Sequence, residues 1–350
     1  MRKILKKRFQ KLSSAWRGLT NDLVKTEIPD YAINQSLPAD SYFTSDETAR
    51  KCFSILSEKL KNENITLDDY TFIEPSAGAG AFYNLLPNDK RIGIELHGRS
   101  DEYIKKDYLT WKPDNTKGKY IVVGNPPFGI RGAYALAFVN RSFLFSDYVA
   151  FILPMSFHSN GKGSNMKRIT NGHLISSQIL EQERFYSPDN DKEIKVNTLF
   201  QIWKKGKGKS IFTDYDISEY VDIYTVCASP DRLCGLDKIE IYDFYVTSSY
   251  YGDSLKTVYE FNDVKYKTGY GIIIKKQKDK ILSLIKDVEW NDYCSLATTN
   301  VKHIRKHSIE ECLFNLGFGK EIEQTVNPLE KFMSKSLDKG PKLEYNILNK

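Results

Sequence analysis

Four residues able to accept hydrogen bonds fall at successive element ends: Glu74, Glu95, Asp107 and Asn125. Asn125 stands in the stretch Tyr120-Ile121-Val122-Val123-Gly124-Asn125-Pro126-Pro127-Phe128-Gly129. Its side-chain oxygen and the carbonyl of Pro126 can each take one N–H of an amino group carried on an aromatic ring, while Phe128 stacks on the ring face. Such an amine is a poor nucleophile because its lone pair is delocalised into the ring. Holding both N–H groups out of conjugation aims the lone pair at an electrophile, and the fixed φ of proline keeps the carbonyl in place. Asn-Pro and Pro-Pro are also ordinary turn dipeptides, so the stretch taken alone reads equally as a surface turn.

The elements that must position these groups follow from local pattern. Tyr120 to Val123 is a β-branched, apolar run that reads as a buried strand, and Pro126-Pro127 cannot continue a sheet ladder because proline supplies no N–H. Upstream, Tyr70-Thr71-Phe72-Ile73 makes a short strand running into Glu74-Pro75-Ser76-Ala77-Gly78-Ala79-Gly80-Ala81-Phe82. Small residues after a strand let backbone approach a ligand and deliver amides at a helix start. The glycines fall short of the dinucleotide pattern, and Glu74 suits an ammonium better than a pyrophosphate. A further strand, Arg91 to Leu96, ends on Glu95, placed where ribose hydroxyls are gripped in doubly wound sheets. Asp107 precedes the Asn125 strand and can accept from an adenine amine. Before all of these, Tyr42 to Ala49 leads into Cys52, Phe53, Leu56 and Leu60 at helical spacing, with Thr44 or Ser45 as cap and Glu47 completing a box with Thr44.

The chain of 350 residues is long enough for two domains, and 41% apolar with 13% aromatic residues suits a folded, soluble protein. No stretch has the length of a membrane-spanning apolar helix, and the basic start Met1 to Arg8 lacks the apolar centre of a signal peptide, so a cytoplasmic protein with no membrane partner is expected. Five scattered cysteines without a Cys-x-x-Cys pair indicate neither a disulfide framework nor zinc. His303 and His307 would share one helical face, without companion ligands, so no metal is expected. The net charge is +6, bunched at Arg2 to Lys11, Lys204 to Lys209, Lys275 to Lys280 and Lys302 to Lys306. Clusters interleaved with Tyr and Phe permit a nucleic acid without requiring one.

In their order, Phe43-Thr44, Glu74 to Gly80, Glu95, Asp107-Tyr108 and Asn125-Pro-Pro-Phe128 resemble the gamma class of S-adenosylmethionine-dependent N6-adenine DNA methyltransferases, of restriction-modification type. Tyr148 to Pro154 is similar to the family's next strand, and Glu183-Arg184-Phe185 with Lys195 to Trp203 to its closing hairpin. The resemblance covers roughly 41–210. It implies an α/β fold, a doubly wound Rossmann-like methyltransferase sheet, followed by a second, C-terminal mixed α/β target-recognition domain. The domains would be a basic arm (1–40), the methyltransferase domain (41–210) and the recognition domain (211–350), joined through a basic linker at Lys204 to Lys209.

Position by position, the resemblance implies that Phe43, Thr44, Glu74, Pro75, Ala77, Gly78, Gly80, Glu95, Asp107, Tyr108 and Asn125 bind S-adenosylmethionine. Asn125, Pro126, Pro127 and Phe128 would hold the target adenine, with Phe185 stacking on its other face. Double-stranded DNA would be the partner, its base flipped out, and a restriction nuclease could accompany the enzyme. Phe128 stands where many relatives carry Tyr. Methylation of adenine in RNA, or of a protein glutamine, stays open, as does a catalytically idle nucleic-acid-binding module. In 211–350, strands are expected at Ile239 to Tyr242 and Val258 to Phe261, helices at Asp279 to Asp287 and Ile309 to Leu316, and phosphate contacts or solvated faces at Lys275, Lys276 and Lys278.

Overall fold

Buried apolar runs broken by tight polar turns dictate the architecture. The computed structural model describes residues 42–97, 100–159, 164–186, 193–228, 241–252, 254–297 and 301–322. The basic arm expected over 1–40 lies outside the described residues.

A two-residue strand, β1 (Phe43–Thr44), leads into helix α1 (Asp46–Asn62). Ser45 caps this helix: its Oγ accepts from the Thr48 amide, with Asp46 and Glu47 in the first turn and Lys59 and Lys61 in the last, both favourable to the helix dipole. The box expected between Thr44 and Glu47 therefore does not form. Ala49, Cys52, Leu56 and Leu60 recur at helical spacing and bury the inner face.

The sheet is built from β2 (Thr71–Glu74), β3 (Arg91–Gly93), β4 (Tyr120–Gly124), β5 (Tyr148–Pro154), β6 (Gly172–Tyr186) and β7 (Glu193–Lys205) together with β1. Its order is β1-β6-β7-β5-β4-β2-β3. The strands β3, β2, β4 and β5 run parallel, whereas β7, β6 and β1 are added antiparallel. Side chains alternate between two cores. Phe72, Ile121, Val123, Ala150 and Ile152 meet α1 on one face. On the other face, Ile73, Val122, Val149 and Phe151 meet helix α2 (Ala133–Ser142) through Ala135, Leu136, Phe138 and Val139. With helices on both faces of a parallel centre, this is the expected doubly wound, Rossmann-like sheet. Between β3 and β4 the described residues include no α-helix; Tyr108 and Trp111 fill that part of the core.

The hairpin of β6 and β7 outruns its neighbour. The last pair of β5 is Pro154 with Thr198, yet β6 and β7 stay paired as far as Tyr186 with Glu193. Register shifts between Leu174 and Ser176 and between Leu180 and Glu183 bend β6, and Gln182 takes φ +51° at the second. The protruding end carries β1, paired through Phe43 with Tyr186 and Thr44 with Phe185. Thr48 Oγ1 donates to Glu183 Oε2 at 2.8 Å, which pins the start of α1 to the same end.

The remaining elements are smaller: β8 (Asp214–Asp216), β9 (Val221–Cys227), β10 (Phe244–Thr247), β11 (Ser249–Tyr250), β12 (Thr268–Ile274), α3 (Lys278–Ile285), β13 (Ser295–Leu296), β14 (Lys302–His303), α4 (Lys306–Asn315) and β15 (Lys320–Ile322). They give the sheets β10-β12-β9, β11-β14-β13 and β15-β8. With α3 and α4 these surround their own core of Phe244, Ile272, Ile281, Trp290 and Leu313, the mixed α/β second part that was expected.

Several local expectations change. The helices begin one to three residues earlier than expected. Of the segment Ile239 to Tyr242, residues 239–240 lie outside the described residues, and Ile241 and Tyr242 are not strand. Val258 makes a single bridge with Tyr245, and Phe261 begins a 3-10 turn. The Tyr242 ring lies over Gly271 and, with Phe261, packs against the ring of Tyr245, which is itself paired with Gly271 in the ladder. His303 belongs to β14 and His307 to α4, so they share no helical face. Lys204 and Lys205 end β7 rather than opening a linker, and Lys204 pairs with Glu63 at 3.1 Å. No helix among the described residues is long and apolar enough to cross a membrane.

Candidate active site

From β2 the chain passes to β3 on one flank, and from β3 it crosses back to β4 on the other flank of β2. Ligands of doubly wound sheets bind in the crevice that this reversal opens at the carboxyl ends of the strands. Glu74 is the last residue of β2, and Asn125 follows Gly124, the last of β4. Gly124 lets the two ends approach: a Cβ there would lie 3.3 Å from Glu74 Cγ. A recess of about 30 Å³ results, lined by Phe43, Thr44, Glu74, Ser76, Gly78 and Asn125 among others. It shares Phe43, Gly78 and Ala79 with a wider cleft of about 430 Å³ that continues to Asn84, Ser100, Glu102 and Tyr103.

The recess is rich in acceptors. Glu74 is buried, and its Oε2 has no hydrogen-bond partner. Burial pushes its carboxyl well above the usual carboxylate range; the Tyr83 backbone amide opposes that rise, and the neighbouring Glu95 adds to it. Asn125 Nδ2 donates to Thr44 Oγ1 at 3.1 Å, and Ser76 Oγ donates to the Asn125 carbonyl at 3.1 Å. Asn125 Oδ1 is buried without a partner. Orphaned buried acceptors cost free energy unless a donor arrives, so the recess favours a group that donates hydrogen bonds.

The small-residue loop wraps this recess. Ala77 N donates to Ile94 O, and Gly78 takes φ +52° with the Phe43 ring 3.1 Å from where a Cβ would stand. At Gly80, with φ +88°, a Cβ would lie 2.7 Å from the Tyr103 hydroxyl. Pro75 is buried beneath the loop. The helix expected after it is only the 3-10 turn Tyr83–Leu85. Glu95 closes the loop onto β3: its Oε2 accepts from Gly78 N at 2.9 Å and its Oε1 from His97 N at 3.2 Å.

Other expected site residues are placed differently. Pro126 is buried and Pro127 half-buried, and Phe128, also half-buried, packs against both cores while its carbonyl accepts from Tyr134 and Ala135 at the start of α2. Asp107 is exposed, and its Oδ1 accepts from Leu109 N at 2.9 Å. The Tyr108 side chain is taken up elsewhere: its ring is stacked on Phe138 inside the core and its hydroxyl bonds Ser142 Oγ at 2.7 Å, so ring and hydroxyl do not face the recess. Phe185 is a correction. Its side chain is 2% exposed among Phe200, Leu180 and the α1 face, which leaves no ring face for a base. Residues that pattern alone did not find are Ser76, Asn84, Ser100 and Tyr103. Ser76 was legible only as part of the small-residue loop, and Tyr103 sits in a polar segment with no periodicity to mark it.

No protein-family model and no curated protein matches the chain. Solved structures give partial superpositions. A candidate RNA methyltransferase from Pyrococcus horikoshii is 15% identical, covering 50% of this chain and 92% of its own with a TM-score of 0.35. The 23S rRNA methyltransferase ErmE is 12% identical over 49% of this chain and 72% of its own, with a TM-score of 0.31. A magnesium protoporphyrin IX methyltransferase from Synechocystis is 7% identical over 45% of this chain and 80% of its own, at 0.28. Similarity of that degree carries no chemistry across; the site rests on the strand order and the side chains described above.

Proposed function

We propose that this chain transfers a methyl group from S-adenosylmethionine to N6 of adenine in DNA. The observation that carries the reading is that Asn125 and Glu74 line one recess at the switch point of a doubly wound sheet, and each keeps a buried oxygen, Oδ1 and Oε2, without a partner. Both want donors, and the reaction offers two: the ammonium of the cofactor's methionyl part and the exocyclic amine of the base.

S-adenosylmethionine, when bound, supplies an electrophilic methyl group on a sulfonium. The chain's residues fit it: Glu74 offers a buried carboxyl to the ammonium, and Gly78 and Gly80 leave room that side chains would fill. Glu95 holds the loop at Gly78. Asn125 Oδ1 accepts one N–H of the adenine amine and Pro126 the other, while Phe128 stacks on the ring. The lone pair is thereby released from conjugation, and placement within about 3.5 Å of the electrophile supplies much of the rate. A duplex hides this amine in its stack, so the base is flipped out.

Residues 211–350 are assigned target recognition on this reading. Lys275, Lys276 and Lys278 hold Asp222, Glu219 and Asp243 at 2.9, 2.8 and 2.5 Å, so a phosphate would have to displace those carboxylates.

The test is transfer of labelled methyl to duplex DNA, single-stranded RNA and protein extract, followed by nucleoside analysis. N6-methyladenine in DNA is expected. Label confined to RNA or protein would overturn the substrate, and no label with cofactor bound would leave a nucleic-acid-binding module.

A further inference from the structure

Asn125 is gripped by two segments that the sequence keeps far apart. Ser76 Oγ holds its backbone carbonyl, and Thr44 Oγ1 takes its side-chain Nδ2 at 3.1 Å. A carboxamide is nearly symmetric in shape, so a half-turn about its last bond exchanges the oxygen for the NH₂ at little steric cost. That exchange decides the chemistry. An amine presents N–H donors, which Oδ1 binds and the NH₂ group repels.

We propose that Thr44 is a positioning residue: by accepting from Asn125 Nδ2 it turns the amide oxygen to the recess and so orients the target amine. This rests on the adenine reading above and deepens it, assigning the Thr44 hydroxyl to Asn125 and not to the cofactor. The fold reserves that hydroxyl for the task. The adjacent Ser45, not Thr44, caps α1. The backbone of Thr44 is paired with Phe185 on the protruding end of β6, whose ring is locked in the core, and Phe43 lies against Gly78. The short strand β1 thus reaches over the carboxyl edge of the sheet to complete a site whose chemical groups come from β2 and β4.

The experiment compares Thr44→Val and Thr44→Ser in the full chain, measuring steady-state methylation of duplex DNA and cofactor affinity by calorimetry. Thr44→Val is expected to lower kcat about 10-fold to 100-fold, the scale of a misplaced reacting group, with cofactor Kd changed less than about twofold. Thr44→Ser, which keeps the hydroxyl, restores most of the rate. An unchanged kcat in Thr44→Val overturns the proposal, and so does a loss of cofactor affinity equal to the loss of rate. A second readout needs no turnover. In protein labelled with ¹⁵N-asparagine, the Asn125 side-chain signal is identified by its disappearance in Asn125→Asp; it should move in Thr44→Val and return near its place in Thr44→Ser. If the wild type methylates no adenine, the functional reading falls, and this signal still judges Thr44: unmoved in Thr44→Val, it overturns the proposal.

Discussion

Glu74 at the end of β2 and Asn125 just past the end of the neighbouring parallel strand β4 line the same recess, and each keeps one buried oxygen without a hydrogen-bond donor. Each oxygen lacks the hydrogen bond it would make in water. The free protein carries that cost, and relieving it contributes to binding.

The titration of Glu74 should report on this. Its folded pKa is raised, mainly by burial, above the ordinary value of 4.5, so the neutral carboxyl stabilises the fold fully below that value and the contribution is lost as pH rises through the raised one. In thermal unfolding of the free protein, the wild type should therefore lose stability relative to Glu74→Gln as pH rises above 4.5. Binding of a cation at this carboxyl should release about one proton, read by calorimetry in buffers of different ionisation enthalpy. Proton-neutral binding would remove Glu74 from the ammonium.

Asn125→Ala should abolish most methylation while leaving cofactor affinity within about threefold, since the lost group is realised against the target amine. Removal of one such oriented hydrogen-bonding group costs roughly 100-fold to 1,000-fold in kcat. Unchanged methylation would end the role given to Asn125. Glu95→Ala acts differently: it frees the amides of Gly78 and His97, and should weaken cofactor binding through the loop. An unaltered affinity by calorimetry would limit Glu95 to local structure.

The parallel centre of the sheet was legible because its strands are unbroken apolar runs bounded by turns. Tyr148 to Pro154 is buried at every position and was delimited without error. The order of acids and amide at strand ends was legible too, since Glu74 and Asn125 each sit where an apolar run stops. The reach of Thr44 to Asn125 was not. It spans 81 positions, and a two-residue strand has no period to read. Tyr108 and Phe185 were misplaced for a related reason: a motif names a residue type beside the site, but which side of the backbone faces the core is set by register. In β6, register shifts twice. Tyr242 reads as a strand former, yet its ring is used to cover the sheet at Gly271.

The placement of the two phenylalanines separates their roles. Phe185→Ala removes a ring from the core beside Phe200 and Leu180 and should cost about 3–5 kcal/mol in chemical denaturation. Phe185→Leu, which keeps most of the volume, should leave activity per folded molecule near the wild type. Phe128→Leu should lower activity more than stability, because stacking on a base needs the ring. If Phe185→Leu lost activity at unchanged stability, the base-stacking role expected from its motif would be restored.

The junction of the two parts of the chain should respond to acid. Lys167, in the 3-10 turn Met166–Arg168, pairs with Asp214 of β8 at 2.6 Å, and His307 of α4 stacks on Tyr215 with its Nδ1 4.0 Å from Glu310 Oε2. Burial holds the His307 pKa below its ordinary 6.5; Asp214 opposes this and Lys167 adds to it. A histidine kept neutral in the fold gives up that stabilisation as pH falls below 6.5, because the unfolded chain then binds the extra proton. Glu310, raised by burial, has the opposite sign, its contribution being lost as pH rises. In chemical denaturation from roughly pH 7.5 to 5.5, His307→Gln should gain stability relative to the wild type as pH falls, and Glu310→Gln should lose it. His158, also lowered by burial, leaves a residual slope in both. Identical slopes in the wild type and His307→Gln would show that this histidine titrates alike in the folded and unfolded chain.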